Sequence, residues 1–175
     1  MKITVPDCSL VVLVGAAGSG KSTFAARHFR PTEVLSSDSC RALVSDDEND
    51  QDATKAAFEI LHFIGGKRLE AGRLTVVDAT NVRREHRQPL VELARAHHAL
   101  PLAIVLDVPE RLCLLRNASR PERKVDPYLV RAQRSHLRRT IGGLDREGFR
   151  RVFILRTQEE VDEADVEREP VDRRL

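Results

Sequence analysis

Nine consecutive residues near the N-terminus have the types and the spacing needed to hold a triphosphate. The segment 15–23 matches the pattern G-x-x-x-x-G-K-[ST] and follows an apolar run at 10–14. Glycines let the backbone turn tightly, so that successive N–H groups point at phosphate oxygens, and the helix that follows adds its positive end. In this pattern Lys21 reaches the β- and γ-phosphates and the Ser22 hydroxyl binds Mg²⁺. The residues predicted to bind a nucleoside triphosphate are Gly15, Ala16, Ala17, Gly18, Ser19, Gly20, Lys21, Ser22 and Thr23.

A second group of polar residues follows the second apolar run. The segment 36–41 reads Ser-Ser-Asp-Ser-Cys-Arg, and in an open α/β sheet the carboxyl end of such a strand lies beside the ligand. Asp38 is placed to accept a hydroxyl proton as the oxygen attacks the γ-phosphorus, and Arg41, one helical turn later, to hold a phosphate of the acceptor. A helix N-cap is the alternative role for Asp38. Asp78, at the end of the third run, is predicted to contact Mg²⁺ through water, as is Asp38.

The elements that must position these residues alternate along the chain. Continuous apolar runs are typical of buried parallel strands, and helical patterns separate them. Because strands and helices alternate, we predict a three-layer α/β fold of the P-loop NTPase type with a five-stranded parallel sheet. By analogy with P-loop kinases we expect the strand order 2-3-1-4-5. The strands are predicted at 9–14, 33–36, 74–78, 102–107 and 152–155, and the helices at about 21–30, 38–44, 52–71, 83–98, 109–119 and 126–141.

The motifs around the P-loop exclude two classes of nucleotide-binding protein. A GTPase needs an Asn-Lys-x-Asp motif to recognise its base, and this sequence has none. A motor ATPase needs a strand ending in Asp-Glu, whereas the strand at 74–78 continues Asp78-Ala-Thr-Asn81. A small phosphotransferase remains, and the acceptor-side Asp38 fits one.

Basic residues are concentrated in the segment 116–139, which has an excess of six positive charges. P-loop kinases carry a lid over the triphosphate after the fourth strand, and we place a helical lid at about 116–140. Arg116 and Arg120 are four residues apart and are expected to share one helix face, where their guanidinium groups suit phosphate oxygens.

The composition is that of a single globular domain. The chain has 175 residues, of which 41% are hydrophobic and 32% charged, and a net charge of +2. No apolar stretch approaches the roughly 18 residues of a membrane helix, and there is no signal-peptide pattern. The three cysteines fit neither a disulfide framework nor a zinc site, and the six histidines match no ligand spacing. We therefore expect a cytoplasmic protein with no membrane association.

Three segments resemble the kinase domain of bacterial polynucleotide kinase–phosphatase, a family of nucleic-acid end-healing enzymes. They are 36–51, 74–82 and 143–150, and the similarity extends over almost the whole chain. The resemblance implies transfer of the γ-phosphate of ATP, or another nucleoside triphosphate, to 5′-hydroxyl ends of RNA or DNA with Mg²⁺. By position it assigns contact with the phosphates to Lys21, the metal to Ser22, the general base to Asp38 and the acceptor phosphate to Arg41. It also makes Arg116 and Arg120 lid arginines that clamp the donor, with Arg123 as a further candidate.

The resemblance also predicts how the domain is used. We assign the kinase domain to 1–168 and a linker or C-terminal tail to 169–175, and we expect phosphatase and adenylyltransferase domains to follow in the full-length protein. Two other functions stay open. One is a small-molecule kinase of the gluconate- or shikimate-kinase type, and the other is a nucleotide-dependent switch without transfer activity.

Overall fold

The strand β2, Ser9–Val14, lies at the centre of a parallel sheet because both of its faces are apolar. Leu10 and Val12 point into the core on one side of the sheet, and Val11 and Leu13 into the core on the other. This two-sided burial is the reason that the strand reads as a continuous apolar run. The predicted three-layer α/β arrangement is confirmed.

The computed structural model describes residues 1–122 and 125–171. Its strands are β1 Lys2–Pro6, β2 Ser9–Val14, β3 Val34–Ser36, β4 Thr75–Asp78, β5 Leu100–Leu106, β6 Arg151–Leu155 and β7 Asp165–Glu169. Its helices are α1 Lys21–His28, α2 Ser37–Ser45, α3 Thr54–Glu70, α4 Arg84–Ala96, α5 Glu110–Ala118, α6 Pro127–Thr140 and α7 Gln158–Asp162, with short 3₁₀ helices at Pro31–Glu33 and Ile141–Arg146.

The five-stranded sheet has the order β3-β4-β2-β5-β6, and all of its strands are parallel. This is the order 2-3-1-4-5 when the predicted strands are numbered along the chain, so that prediction is confirmed. The register places Asp78 beside Leu13, next to the end of β2. The end of β4 is therefore adjacent to the start of the P-loop.

Two strands and a short helix were not predicted from the sequence. β1 pairs in parallel with β7, with Lys2 opposite Asp165, and α7 precedes β7. β7 reads Asp-Val-Glu-Arg-Glu, so it has the composition of a solvated segment, and its pairing joins residues from the two ends of the chain. Local sequence patterns do not indicate a contact between residues so far apart in the chain. The strand ends at Glu169, the first residue of the predicted tail.

Helices cover both faces of the sheet. α1, α5 and α7 contribute to one hydrophobic core, and α2, α3 and α4 to the other. α6 contributes to both, since Val130 belongs to the first core and Leu137 to the second. Among the described residues, no helix combines the length and the apolar character needed to cross a bilayer.

Candidate active site

The P-loop connects β2 to α1 and is shaped by its glycines. Gly18 and Gly20 have φ angles of +79° and +99°, which disfavour side chains, and a Cβ on Gly18 would lie 2.3 Å from the Cys113 carbonyl oxygen. The Gly15 amide donates to the Thr80 carbonyl oxygen at 2.9 Å, which ties the loop to the segment after β4. The loop ends at the N-terminus of α1, where unpaired helical N–H groups favour an anion.

Lys21 lies inside the curve of this loop. It is only 8% exposed, and its Nζ donates to the Gly15 and Ala16 carbonyl oxygens, each at 2.9 Å. A cation at this place is surrounded by the same loop that presents its amides to phosphate. The lysine thus lies within the loop, and its contact with a phosphate stays a prediction.

Ser22 and Asp78 meet at the end of the central strands. The Ser22 hydroxyl donates to the Asp78 carboxylate at 2.7 Å, although 56 residues separate them. A hydroxyl and a carboxylate are hard oxygen ligands of the kind that Mg²⁺ takes, and Mg²⁺ commonly completes its shell with phosphate oxygens and waters. The two residues fit a magnesium ion. The described residues contain no group of three or more His, Cys, Asp or Glu side chains that could hold a metal by themselves.

Asp38 lies in the first turn of α2 and faces Arg41. Ser36 is the N-cap, because its hydroxyl accepts the Ser39 amide, so the alternative role for Asp38 as the N-cap is wrong. The Asp38 carboxylate pairs with the Arg41 guanidinium one turn later. Arg41 also donates through Nε to the Thr54 hydroxyl at 3.2 Å and through Nη1 to the Glu48 carbonyl oxygen at 3.3 Å.

These contacts fix the orientation of the base candidate. Arg41 is 9% exposed and joins α2 to the start of α3, so its guanidinium is held by the fold as well as by Asp38. Asp38 shares a cleft of about 530 Å³ with Ser22 and Asp78. We call it the α2 cleft; it is lined by Ser22, Ser36, Asp38, Ser39, Glu48, Asp78, Arg120, Pro121 and Glu122.

A second cleft, of about 220 Å³, opens on the other side of α1. We call it the α7 cleft, and it extends from Gly20 and Thr23 at the P-loop to Gln158 and Val161. Its basic residues are Arg27, Arg116 and Arg120. The Arg116 guanidinium donates to the Gln158 amide oxygen at 2.6 Å and lies beside Gly20.

Arg120 lines both clefts, but it does not share a helix with Arg116. α5 ends at Ala118, so the prediction that the two arginines occupy one helix face is wrong. Pro121 disfavours helical backbone at the residue before it, and the Asn117 side chain turns the chain by accepting the Val125 amide at 3.0 Å. Arg123 lies outside the described residues.

The second half of the predicted lid is packed against the rest of the domain. In α6, Val130, Arg134 and Leu137 are buried, and Arg134 pairs with Asp107 just after β5. Gln133 accepts the Ala17 amide of the P-loop at 2.8 Å. Gln133 and Gln158 were both missed by the sequence interpretation, because neither belongs to a motif and each reaches the site only through the fold.

A buried network beneath the site was also missed. Arg87 makes a bidentate ion pair with Glu147 and donates to the Asn81 carbonyl oxygen at 2.9 Å. The Asn81 amide donates to the Leu13 carbonyl oxygen at 2.9 Å, and Asn81 has a φ of +48°. The network holds the segment after Asp78 against β2. In the sequence, the residue that could have pointed to it is Asn81, in the segment Asp78-Ala-Thr-Asn81.

The cysteines and histidines near the site are packing residues. The three cysteines are free thiols, and burial raises the pKa of Cys113, whose carbonyl lies against Gly18. Burial lowers the pKa of His28, which packs against the Phe24 ring with centroids 4.5 Å apart. Both side chains are therefore neutral near pH 7. Cys113 lies against the P-loop, and His28 packs within α1.

The sequence of this chain is similar to a family model and to a plant protein. The family model described as AAA domain, AAA_33, matches residues 10–144. The transcription factor bHLH140 of Arabidopsis thaliana is 31% identical over 111 residues, which are 63% of this chain and 11% of that protein. The chain thus spans about a ninth of the length of this relative.

Solved structures share the fold at low sequence identity. A structure of the Pnkp1/Rnl/Hen1 RNA repair complex is similar with a TM-score of 0.68 and 22% identity, covering 81% of this chain and 47% of that one. A sugar kinase of Janibacter sp. HTCC2649 has a TM-score of 0.60 and 19% identity, over 88% and 90% of the two chains. The APS kinase CysC of Mycobacterium tuberculosis, in complex with AMPPNP and APS, has a TM-score of 0.52 and 23% identity, over 66% and 71%.

Proposed function

The chain belongs to the AAA domain family, in a P-loop kinase-like form, and from this we propose that it is a polynucleotide 5′-hydroxyl kinase. The enzyme transfers the γ-phosphate of ATP, or of another nucleoside triphosphate, to 5′-hydroxyl ends of RNA or DNA. The observation that carries the proposal is the position of Asp38. A carboxylate oriented by Arg41 shares a cleft with the Ser22–Asp78 pair, on the acceptor side of the P-loop.

The donor occupies the P-loop and the α7 cleft in this proposal. Backbone amides and Lys21 hold the β- and γ-phosphates, and Arg116 and Arg120 add guanidinium donors from the cleft wall. The remaining space of the α7 cleft takes the nucleoside, beside Gln158 and Val161. Ser22 and Asp78 would hold Mg²⁺, which neutralises charge on the phosphates when it is bound.

The acceptor occupies the α2 cleft. A sugar hydroxyl is a weak nucleophile at pH 7, so it attacks the γ-phosphorus well only if its proton leaves during the reaction. Asp38 accepts that proton, and Arg41 keeps the carboxylate in place and is proposed to bind a phosphate of the polynucleotide. A switch protein has no need of a base on the acceptor side, and this disfavours the switch.

Two facts support a polynucleotide as the acceptor. The segments 36–51, 74–82 and 143–150 resemble polynucleotide kinases, and the RNA repair complex has a higher TM-score with this chain than the sugar kinase does. The sugar kinase and the APS kinase share the fold, so a small-molecule acceptor is the second candidate. We further propose that phosphatase and adenylyltransferase domains accompany this domain, and that it acts in the cytoplasm in nucleic-acid repair.

A transfer assay tests the proposal directly. The protein is incubated with γ-labelled ATP and Mg²⁺ and with one of four acceptors: a 5′-hydroxyl RNA, a 5′-hydroxyl DNA of the same sequence, gluconate or shikimate. We expect label on the oligonucleotides alone, and none on the same oligonucleotides when they carry a 5′-phosphate. Transfer to a small molecule but to neither oligonucleotide would replace the proposal with the second candidate. ATP binding without transfer to any acceptor would favour the switch.

A further inference from the structure

The amide groups of the P-loop are not all alike. The amides of Gly18 and Gly20 have no hydrogen-bond partner within the described residues, so they are available to a phosphate. The Ala17 amide donates to the Gln133 side chain of α6 at 2.8 Å, a contact across 116 residues. This amide is held by a side chain rather than left to the ligand.

The helix that carries Gln133 is anchored without the help of this contact. Val130 and Leu137 are fully buried in the two cores, on either side of Gln133. The next residue, Arg134, pairs with Asp107, and the two side chains are only 5% and 13% exposed. Ion pairs as buried as this one hold their geometry strongly, since breaking one leaves an uncompensated charge. Gln133 is thus a fixed acceptor presented to the P-loop.

Asp107, the partner of Arg134, connects α6 to the strands next to the P-loop. It directly follows β5, and its amide donates to the Leu155 carbonyl oxygen of β6 at 2.8 Å. At the end of β5, the Leu106 carbonyl oxygen would lie 3.0 Å from a Cβ on Gly15. The first half of the P-loop is therefore enclosed between the end of β5 and the Gln133 amide.

We propose that Gln133 is a positioning residue of the donor site: its amide oxygen holds the Ala17 N–H and thereby keeps the P-loop in its phosphate-binding shape. The assignment rests on the proposed function insofar as that shape serves phosphoryl transfer. A preformed cradle does not have to be ordered when the triphosphate arrives, and positioning is the largest part of catalysis in this reaction class. Gln133 acts on the donor through Ala17, and it has no role in binding the acceptor.

Hydrogen exchange of the Ala17 amide, followed by NMR, tests the contact without any activity. Gln133→Met has nearly the same length but no acceptor, and we expect it to speed exchange at Ala17 by about tenfold or more, the effect of losing roughly 1.4 kcal/mol of protection. Gln133→Glu retains an acceptor oxygen and should keep the amide protected. Ser135→Ala, at an exposed position of the same helix, is the matched control and should leave exchange at Ala17 unchanged. Unchanged exchange at Ala17 in Gln133→Met would overturn the proposal even if the protein proved to be no kinase.

Kinetics then separate positioning from a general loss of structure. Gln133→Met should raise the KM for ATP by about tenfold and leave the KM for the 5′-hydroxyl acceptor within about twofold, with an unchanged melting temperature. A parallel rise in both KM values together with a lower melting temperature would overturn the positioning role in favour of a merely structural one. If no acceptor is phosphorylated by the unmodified protein, the proposed function fails, and the exchange experiment together with ADP affinity still decides the role of Gln133.

Discussion

The α7 cleft and the α2 cleft meet at Arg120, but they are built by different means. The α7 cleft ends at a P-loop whose binding groups belong to the backbone, and Gly18 and Gly20 need positive φ to present them. The α2 cleft is lined by side chains, among them Asp38, which is paired with Arg41. A backbone cradle recognises the triphosphate that all nucleoside triphosphates share, whereas side chains determine which acceptor binds beside it. In our proposal the choice of acceptor is therefore made in the α2 cleft.

The two clefts also differ in charge. The α7 cleft is lined by three arginines and one carboxylate, Asp162. The α2 cleft has one arginine, Arg120, and four carboxylates, those of Asp38, Glu48, Asp78 and Glu122. A basic wall suits the polyanionic donor, and an acidic wall suits a metal ion and a neutral hydroxyl. Substitutions on the two sides should for this reason change different kinetic parameters.

The largest effect is expected on the donor side, at Lys21. Lys21→Ala removes the cation inside the P-loop, and we expect turnover to fall by roughly 10³-fold or more, the size of effect that one positioned cation has in phosphoryl transfer. Circular dichroism should show the same fold. The exposed Lys67, which pairs with Glu70 on α3, provides the control Lys67→Ala, whose turnover should be unchanged. Near-full turnover in folded Lys21→Ala would refute the P-loop assignment.

On the acceptor side, Asp38→Asn should lower turnover by about 10²–10⁴-fold, the contribution of a positioned general base. Asparagine is nearly isosteric and can still accept a hydrogen bond from Arg41, but it cannot take the proton of a hydroxyl. ADP affinity, measured by calorimetry, should therefore be unchanged. Asp52→Asn, at an exposed position before α3, is the control for lost charge. An active Asp38→Asn protein would show that the base lies elsewhere.

The same contrast explains how far the sequence could be interpreted. The donor side was predictable because glycines, lysine and serine at fixed spacing describe a backbone shape, and that shape requires the strand before it and the helix after it. The strand order was expected by analogy with P-loop kinases, and the α/β alternation itself predicted only the three-layer arrangement. The path of the chain after α5 was less predictable: the Asn117 side chain bonds to the Val125 backbone eight residues later, and Arg120 lies outside the helix that carries Arg116.

The parts that could not be predicted depend on contacts distant in sequence. Gln133 reaches Ala17 from α6, and the bidentate pair of Arg87 and Glu147 joins residues 60 positions apart. β7 is recognisable only through its partner β1. Side-chain types at such positions carry no spacing signal, because their meaning depends on the fold that brings them together.

Arg41 should show a smaller and purely acceptor-side effect. Arg41→Lys retains the charge but loses the planar fork that reaches Asp38, Thr54 and the Glu48 carbonyl oxygen. We expect the KM for a 5′-hydroxyl oligonucleotide to rise by about tenfold, with ADP affinity within about twofold of the unmodified protein. Weaker ADP binding with an unchanged acceptor KM would place Arg41 on the donor side and contradict the division between the clefts.

Arg116 and Arg120 offer the finest test of that division, because only Arg120 lines both clefts. Each guanidinium donates charge-assisted hydrogen bonds to phosphate in our proposal, so Arg116→Ala and Arg120→Ala should each raise the KM for ATP by about tenfold. Arg120→Ala should also raise the acceptor KM by a few-fold, whereas Arg116→Ala should not. Gln158→Ala removes the partner that holds Arg116 at 2.6 Å, and we expect it to raise the KM for ATP by less than about threefold. If Arg120→Ala left the acceptor KM unchanged, as Arg116→Ala should, both arginines would act on the donor alone and Arg120 would have no part in the acceptor site.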